Sequence, residues 1–110
     1  MPFSDAAIRA LLARLRAAVV AGRVEATKKS DREITEIGWL KEDVFIQLME
    51  LEFHDFLKAE TARNWPNQTV WVFCPEFWDG RFLWIRLIEE GGGFVLVISF
   101  HPAQGDPWSQ

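Results

Sequence analysis

The chain has 110 residues, 49% of them hydrophobic and 25% charged, with a formal net charge of −4 at pH 7. That length and apolar share predict one domain, residues 1–110, with its own core, and exclude wholesale disorder. A single cysteine, Cys74, excludes an internal disulfide framework and suits a reducing cytosol, and with only 2 histidines a structural zinc site lacks ligands.

No apolar run is long enough to span a membrane, and the first residues lack a signal-peptide pattern. Residues 1–50 carry eight Lys/Arg against eight Asp/Glu, whereas residues 51–110 carry four against eight. A broad basic face is therefore missing, and any grip on nucleic acid rests on a few placed cations. The aromatic set, 6 Trp and 9 Phe without Tyr, supplies core first and stacking surfaces second.

In chain order, Ser4 or Asp5 caps a predicted first helix with an apolar face of Ile8, Leu11, Leu12, Leu15, Val19 and Val20. Gly22 ends it, and Arg9, Arg14 and Arg16 read as its solvated face. Residues 22–27 form a short extended link. Ser30 with Glu33 has capping-box spacing for a short helix carrying Ile34 and Ile37, closed by Gly38.

A third helix covers residues 41–51, with Val44, Phe45, Leu48 and Met49 on one side. Its first turn holds Glu42 and Asp43, where the helix dipole favours negative charge. Residues 52–67 are less regular, anchored by Phe53, Phe56 and Leu57, and Trp65-Pro66-Asn67 reads as a turn.

Three strand-like runs follow at residues 70–74, 81–88 and 94–101. Pro75 and Asp79-Gly80 separate the first two, and Gly91-Gly92-Gly93 joins the last two. In the second run Leu83, Ile85 and Leu87 point one way, toward helices, while Phe82, Trp84, Arg86 and Ile88 point the other. In the third, Phe94, Leu96, Ile98 and Phe100 alternate with Val95, Val97, Ser99 and His101. Arg86, Ser99 and His101 share a face if the register brings them opposite, which alternation alone leaves open. From about residue 104 the tail is polar and is predicted to fray despite Trp108. The sum is an α+β fold, with N-terminal helices packed on one face of a C-terminal antiparallel sheet.

Cations on or near that sheet fit two readings, phosphodiester chemistry or the polar rim of an ordinary sheet. Cleaving RNA without a metal needs a base at the ribose 2′-hydroxyl, cations on the crowded phosphate and an acid at the departing 5′-oxygen. His101 is the sheet's one candidate proton carrier near neutral pH. Lys58 and Arg86 are the natural phosphate ligands. Arg86 has an equally plain structural reading, as the partner of Glu52, Glu60 or Glu76. Other chemistries find less support. His54 and Asp55 have no nucleophile beside them, Cys74 reads as a small buried hydrophobe, the triple glycine has no following helix to cradle phosphate, and nothing separates the roles of Glu76 and Asp79.

Taken together, "AGRVEAT" at residues 21–27, "IGW" at 37–39, "DFLKAET" at 55–61, "GRFLWIRL" at 80–87 and "VISFHPA" at 97–103 give a chain that resembles the MqsR family of toxins from bacterial type II toxin–antitoxin systems. The likeness runs from about Ala17 to Ala103. It implies a RelE-like α+β ribonuclease that cuts single-stranded mRNA in the cytoplasm without a metal or other cofactor. It also implies neutralisation by a cognate antitoxin, often one with a zinc-binding part and a DNA-binding helix-turn-helix part.

By position, the resemblance makes Lys58 the family lysine and puts Arg86 where a strand lysine is common. It puts Trp84 where tyrosine is common, His101 where many members have lysine, and Val72 at the place of a glutamine. The expected site is therefore Lys58, Arg86 and His101 for catalysis, with Trp84 and Arg81 touching RNA. The missing tyrosine and glutamine support an alternative, a toxin-like interaction module that binds an antitoxin without catalysis.

Overall fold

The computed structural model describes residues 4–62, 64–78 and 80–109. Helix α1 (Asp5–Val20) begins where Ser4 Oγ accepts the Ala7 N–H at 3.1 Å and ends before Gly22, whose φ of 73° suits glycine. Its buried stripe is Ile8, Leu11, Leu12, Leu15 and Ala18; Val20, expected on that stripe, is 78% exposed. The three arginines expected to be solvated each fasten the helix to a neighbour. Arg9 lies 4.8 Å over the Phe53 ring, Arg14 donates twice to Glu89 at 2.6 and 3.0 Å, and Arg16 donates to the carbonyls of Met49 and Leu51.

The extended link contains strand β1 (Val24–Ala26), and helix α2 (Lys28–Glu36) follows. The cap of α2 is Thr27, not Ser30, since Thr27 Oγ1 accepts the Ser30 N–H at 3.1 Å. Ser30 is buried instead and donates to the Val97 carbonyl at 2.8 Å. Glu33 is likewise drawn away from capping, because its Oε1 accepts the Phe100 N–H at 3.0 Å. Both residues serve the sheet edge, where a buried backbone donor or acceptor needs a partner. Helix α3 (Lys41–Glu50) contributes Val44 and Leu48 to the core and packs against α1.

The sheet is larger than the three expected runs. It comprises β1, β2 (Phe56–Ala62), β3 (Trp65–Phe73), β4 (Glu76–Trp78), β5 (Arg81–Glu90) and β6 (Phe94–Pro102). The order is β1-β6-β5-β3-β2, with β4 beside β5; β1 runs parallel to β6 and the other pairs are antiparallel.

Residues expected to be irregular thus form a hairpin, and Trp65-Pro66-Asn67 opens β3. Asn67 keeps a turn-like φ of 69° inside it. Gly91–Gly93 is a tight turn between β5 and β6 as expected, with φ of 75° and 79° at Gly92 and Gly93. Of the Asp79-Gly80 turn, Asp79 lies outside the described residues.

One sheet face carries the helices and the main core, which includes Trp71, Phe73, Leu83, Ile85, Leu87, Val95, Val97 and Phe100. The other face holds a smaller cluster of Val70, Val72, Cys74, Ile88 and Ile98, with Leu57, Trp65, Trp84 and Leu96 packed against it. The alternation read along β5 holds. Along β6 it breaks, because the pairing slips between Arg86 and Leu87 and Ile98 is left without a partner of its own. A bulge of this kind lets two successive residues share a face. Ser99 and His101 therefore leave the Val95–Val97 face, and Phe100 takes their place in the core.

Cys74 sits in the second cluster, where burial pushes its thiol up from about 9 to about 12, against the opposing pull of Lys58's charge. The folded state thus keeps the proton that the unfolded chain releases. This contribution to stability is whole below about pH 9 and is lost as pH rises toward 12. Urea unfolding across that range is expected to show a steeper decline for the unmodified chain than for Cys74→Ala, by up to about 1.4 kcal/mol per pH unit.

Candidate functional site

Pairing places the chemistry-bearing residues in rows across the free sheet face. Lys58 on β2 lies opposite Val72 on β3, Val72 opposite Arg86 on β5, and Arg86 opposite Ser99 on β6. In the adjoining row Trp84 faces His101. The bulge in β6 is what brings Arg86, Ser99 and His101 to the same side.

Glu60 organises this face. Its Oε1 accepts from Arg86 Nε at 2.9 Å, and its Oε2 lies 3.4 Å from Lys58 Nζ. Arg86 is therefore paired with a carboxylate, as its structural reading has it, and the same carboxylate brings it beside Lys58. The guanidinium also reaches Ser99 Oγ at 3.5 Å, a long contact. On the far side of Ser99, Lys29 of α2 donates to the same hydroxyl at 3.2 Å and to Glu33 Oε2 at 3.0 Å. Three cations and two carboxylates thus form one polar line from β2 to α2, over a floor in which Val72 is fully buried.

Trp84 is both core and surface. One part packs on the smaller cluster, and the rest lines a cleft of about 420 Å³ together with Lys58, His101 and Gln104. Lys58 Nζ stands 5.6 Å from the Trp84 ring centroid, within cation–π range. His101 Nδ1 lies 2.9 Å from the Pro102 carbonyl oxygen. A carbonyl only accepts, so Nδ1 carries the hydrogen in that bond. The neutral ring then leaves Nε2 with the lone pair, and the protonated ring leaves it an acid.

Among the expected residues, Lys58, Trp84, Arg86 and His101 share one face. Arg81 does not join them. It begins β5 in phase with Leu83 and Ile85, and its guanidinium lies 5.4 Å over Phe77, a residue packed on the helix-side core. Lys29 has no mark in the sequence, because an exposed helical lysine carries no local signal. Glu60 was visible only as one of three partners for Arg86. Cys74 is buried and its thiol is pushed up, which disfavours the thiolate that a nucleophile needs.

The tail also departs from expectation. Residues 103–109 fold back on the sheet: the Ala103 N–H donates to Phe82 O at 2.8 Å, and Trp108 Nε1 donates to Cys74 O at 3.1 Å. Trp108 is an anchor, not a frayed end.

Among the described residues, no three His, Cys, Asp or Glu side chains gather as a metal site, and no helix is long and apolar enough to cross a membrane.

No curated protein matches the chain. The family described as motility quorum-sensing regulator, toxin of MqsA, matches residues 9–102, a span that holds every strand and the four residues gathered on the free face. The chain therefore belongs to the MqsR toxin family and is a toxin component of a toxin–antitoxin system, with an antitoxin as its partner.

Proposed function

We propose that the chain is a cytoplasmic, metal-independent endoribonuclease that cleaves single-stranded mRNA. The observation that carries this reading is the convergence of Lys58 and Arg86 on one carboxylate beside Trp84 and His101. A carboxylate edge resembles the anionic edge of a phosphate, so cations held around Glu60 are already set to receive one.

When RNA enters, Arg86 and Lys58 transfer to the scissile phosphate and Trp84 stacks on a neighbouring base. The 2′-hydroxyl loses its proton and attacks phosphorus, the bond to the 5′-oxygen breaks, and that oxygen gains a proton. His101 Nε2 is the acid or the base in this exchange. The cations offset the charge that builds on the phosphate as it becomes five-coordinate. A cognate antitoxin, carrying zinc-binding and helix-turn-helix parts, silences the activity by binding the toxin.

A second reading has its own support. Trp84 has no hydroxyl, Val72 offers no donor, and Glu60 already occupies the cations. These features favour a module that binds the antitoxin without cutting RNA. Expression in a bacterial host separates the two. Growth arrest with mRNA cleavage, relieved by Lys58→Ala or His101→Ala, supports the enzyme. A harmless unmodified chain supports the module.

Glu60 gives a finer check. If its carboxylate competes with phosphate, Glu60→Gln tightens binding of single-stranded RNA by about fivefold, the worth of roughly 1 kcal/mol for a partly exposed pair. Fluorescence anisotropy with a labelled oligoribonucleotide measures it.

A further inference from the structure

The family match ends at residue 102, yet the chain continues across the cleft. Resting on the ribonuclease reading above, we propose that this C-terminal tail is a base-selecting wall and that Gln104 is the residue that reads the base.

Three observations carry the proposal. The tail is fixed at both ends, by Ala103 N–H on Phe82 O and by Trp108 Nε1 on Cys74 O. Between them the chain turns on Asp106, whose Oδ1 accepts the Trp108 N–H at 2.8 Å and whose carbonyl accepts from Ser109 Oγ at 3.0 Å. The tail's one acidic side chain is thereby tied into its own turn. Second, Gln104 and Pro107 line the same cleft as Lys58, Trp84 and His101. Third, Gln104 is exposed and, among the described residues, is the one wall residue of that cleft with a side-chain amide.

The chemistry of these groups divides the work. Lys58 and Arg86 recognise phosphate, and Trp84 offers a stacking face, so neither contact distinguishes one base from another. A base stacked on Trp84 turns its hydrogen-bonding edge outward. A primary amide offers a donor and an acceptor side by side, which matches a base edge with the complementary pair. Splayed single-stranded bases expose their Watson–Crick and Hoogsteen edges to this kind of contact. Pro107 lines the same cleft without adding a polar side chain.

The test uses the full chain and a set of short oligoribonucleotides that differ only in the base next to the cleaved bond. Cleavage by the unmodified chain and by Gln104→Ala is measured as kcat/KM for each. Binding of the same set to His101→Ala, with and without Gln104→Ala, gives a readout independent of cleavage. The proposal expects the preference between the best and worst base to shrink by about tenfold or more in Gln104→Ala, chiefly through KM or Kd of the favoured base.

An unchanged preference, in Gln104→Ala and in a chain ending at Ala103, overturns the proposal while the ribonuclease reading stands. Equal acceleration on all bases after truncation also overturns it, since that marks an occluding strap. If the unmodified chain neither binds nor cuts any of the set, the ribonuclease reading falls and the tail proposal with it.

Discussion

Arg86→Ala is expected to slow RNA cleavage by about 10²–10³-fold, the usual loss when one preorganised donor to a developing oxyanion is removed. Arg86 is the most enclosed cation of the site, with a side chain 25% exposed and set between Glu60 and Ser99. Its fork holds two oxygens at once, so Arg86→Lys restores charge but only part of the rate.

The substitution has a second consequence that must be separated from the first. It leaves the Glu60 carboxylate partly enclosed without its strongest partner, which costs about 1–3 kcal/mol of stability. The double variant Arg86→Ala/Glu60→Ala removes that orphan. It is expected to recover stability in urea titration without recovering cleavage. Recovery of both would assign Arg86 a purely structural role.

His101→Ala is expected to lower kcat by about 10²–10⁴-fold, the range for a positioned acid or base, with little change in KM. The hydrogen bond from Nδ1 to the Pro102 carbonyl leaves Nε2 for proton transfer, so the loss is expected there and not in binding. The pH–rate profile of the unmodified chain then shows a limb that His101→Ala lacks. A profile that keeps its shape in the variant would remove His101 from the proton-transfer role, even where cleavage is real.

Much of this fold is legible in the sequence where local pattern and tertiary role agree. Helix α1 announces itself by apolar spacing, β5 by strict alternation, and the β5–β6 turn by three glycines. Strand β2 is hidden because Leu57, Lys58, Ala59 and Glu60 are good helix formers, and pairing with β3 overrides that preference. The Thr27 cap is missed because Ser30 and Glu33 match a capping box while their side chains are needed at the β6 edge.

The bulge at Ile98 is the most consequential omission. Residues 94–98 are uniformly apolar, so alternation has no polar mark to show where the phase slips, and register decides which face receives His101. The candidate site is legible residue by residue at Lys58, Trp84, Arg86 and His101. Its organisation is not, because Glu60 and Lys29 enter through contacts between distant elements.

We propose that Lys58, Arg86, Trp84 and His101 form a face that cuts single-stranded RNA. Its most direct test is incubation of the purified chain, free of antitoxin and in the presence of a chelator, with single-stranded oligoribonucleotides, followed by analysis of the product ends. The expected result is cleavage that leaves a 2′,3′-cyclic phosphate on one product and a free 5′-hydroxyl on the other, and that is lost in Arg86→Ala and His101→Ala. Intact RNA, or cleavage undiminished in both variants, would contradict it.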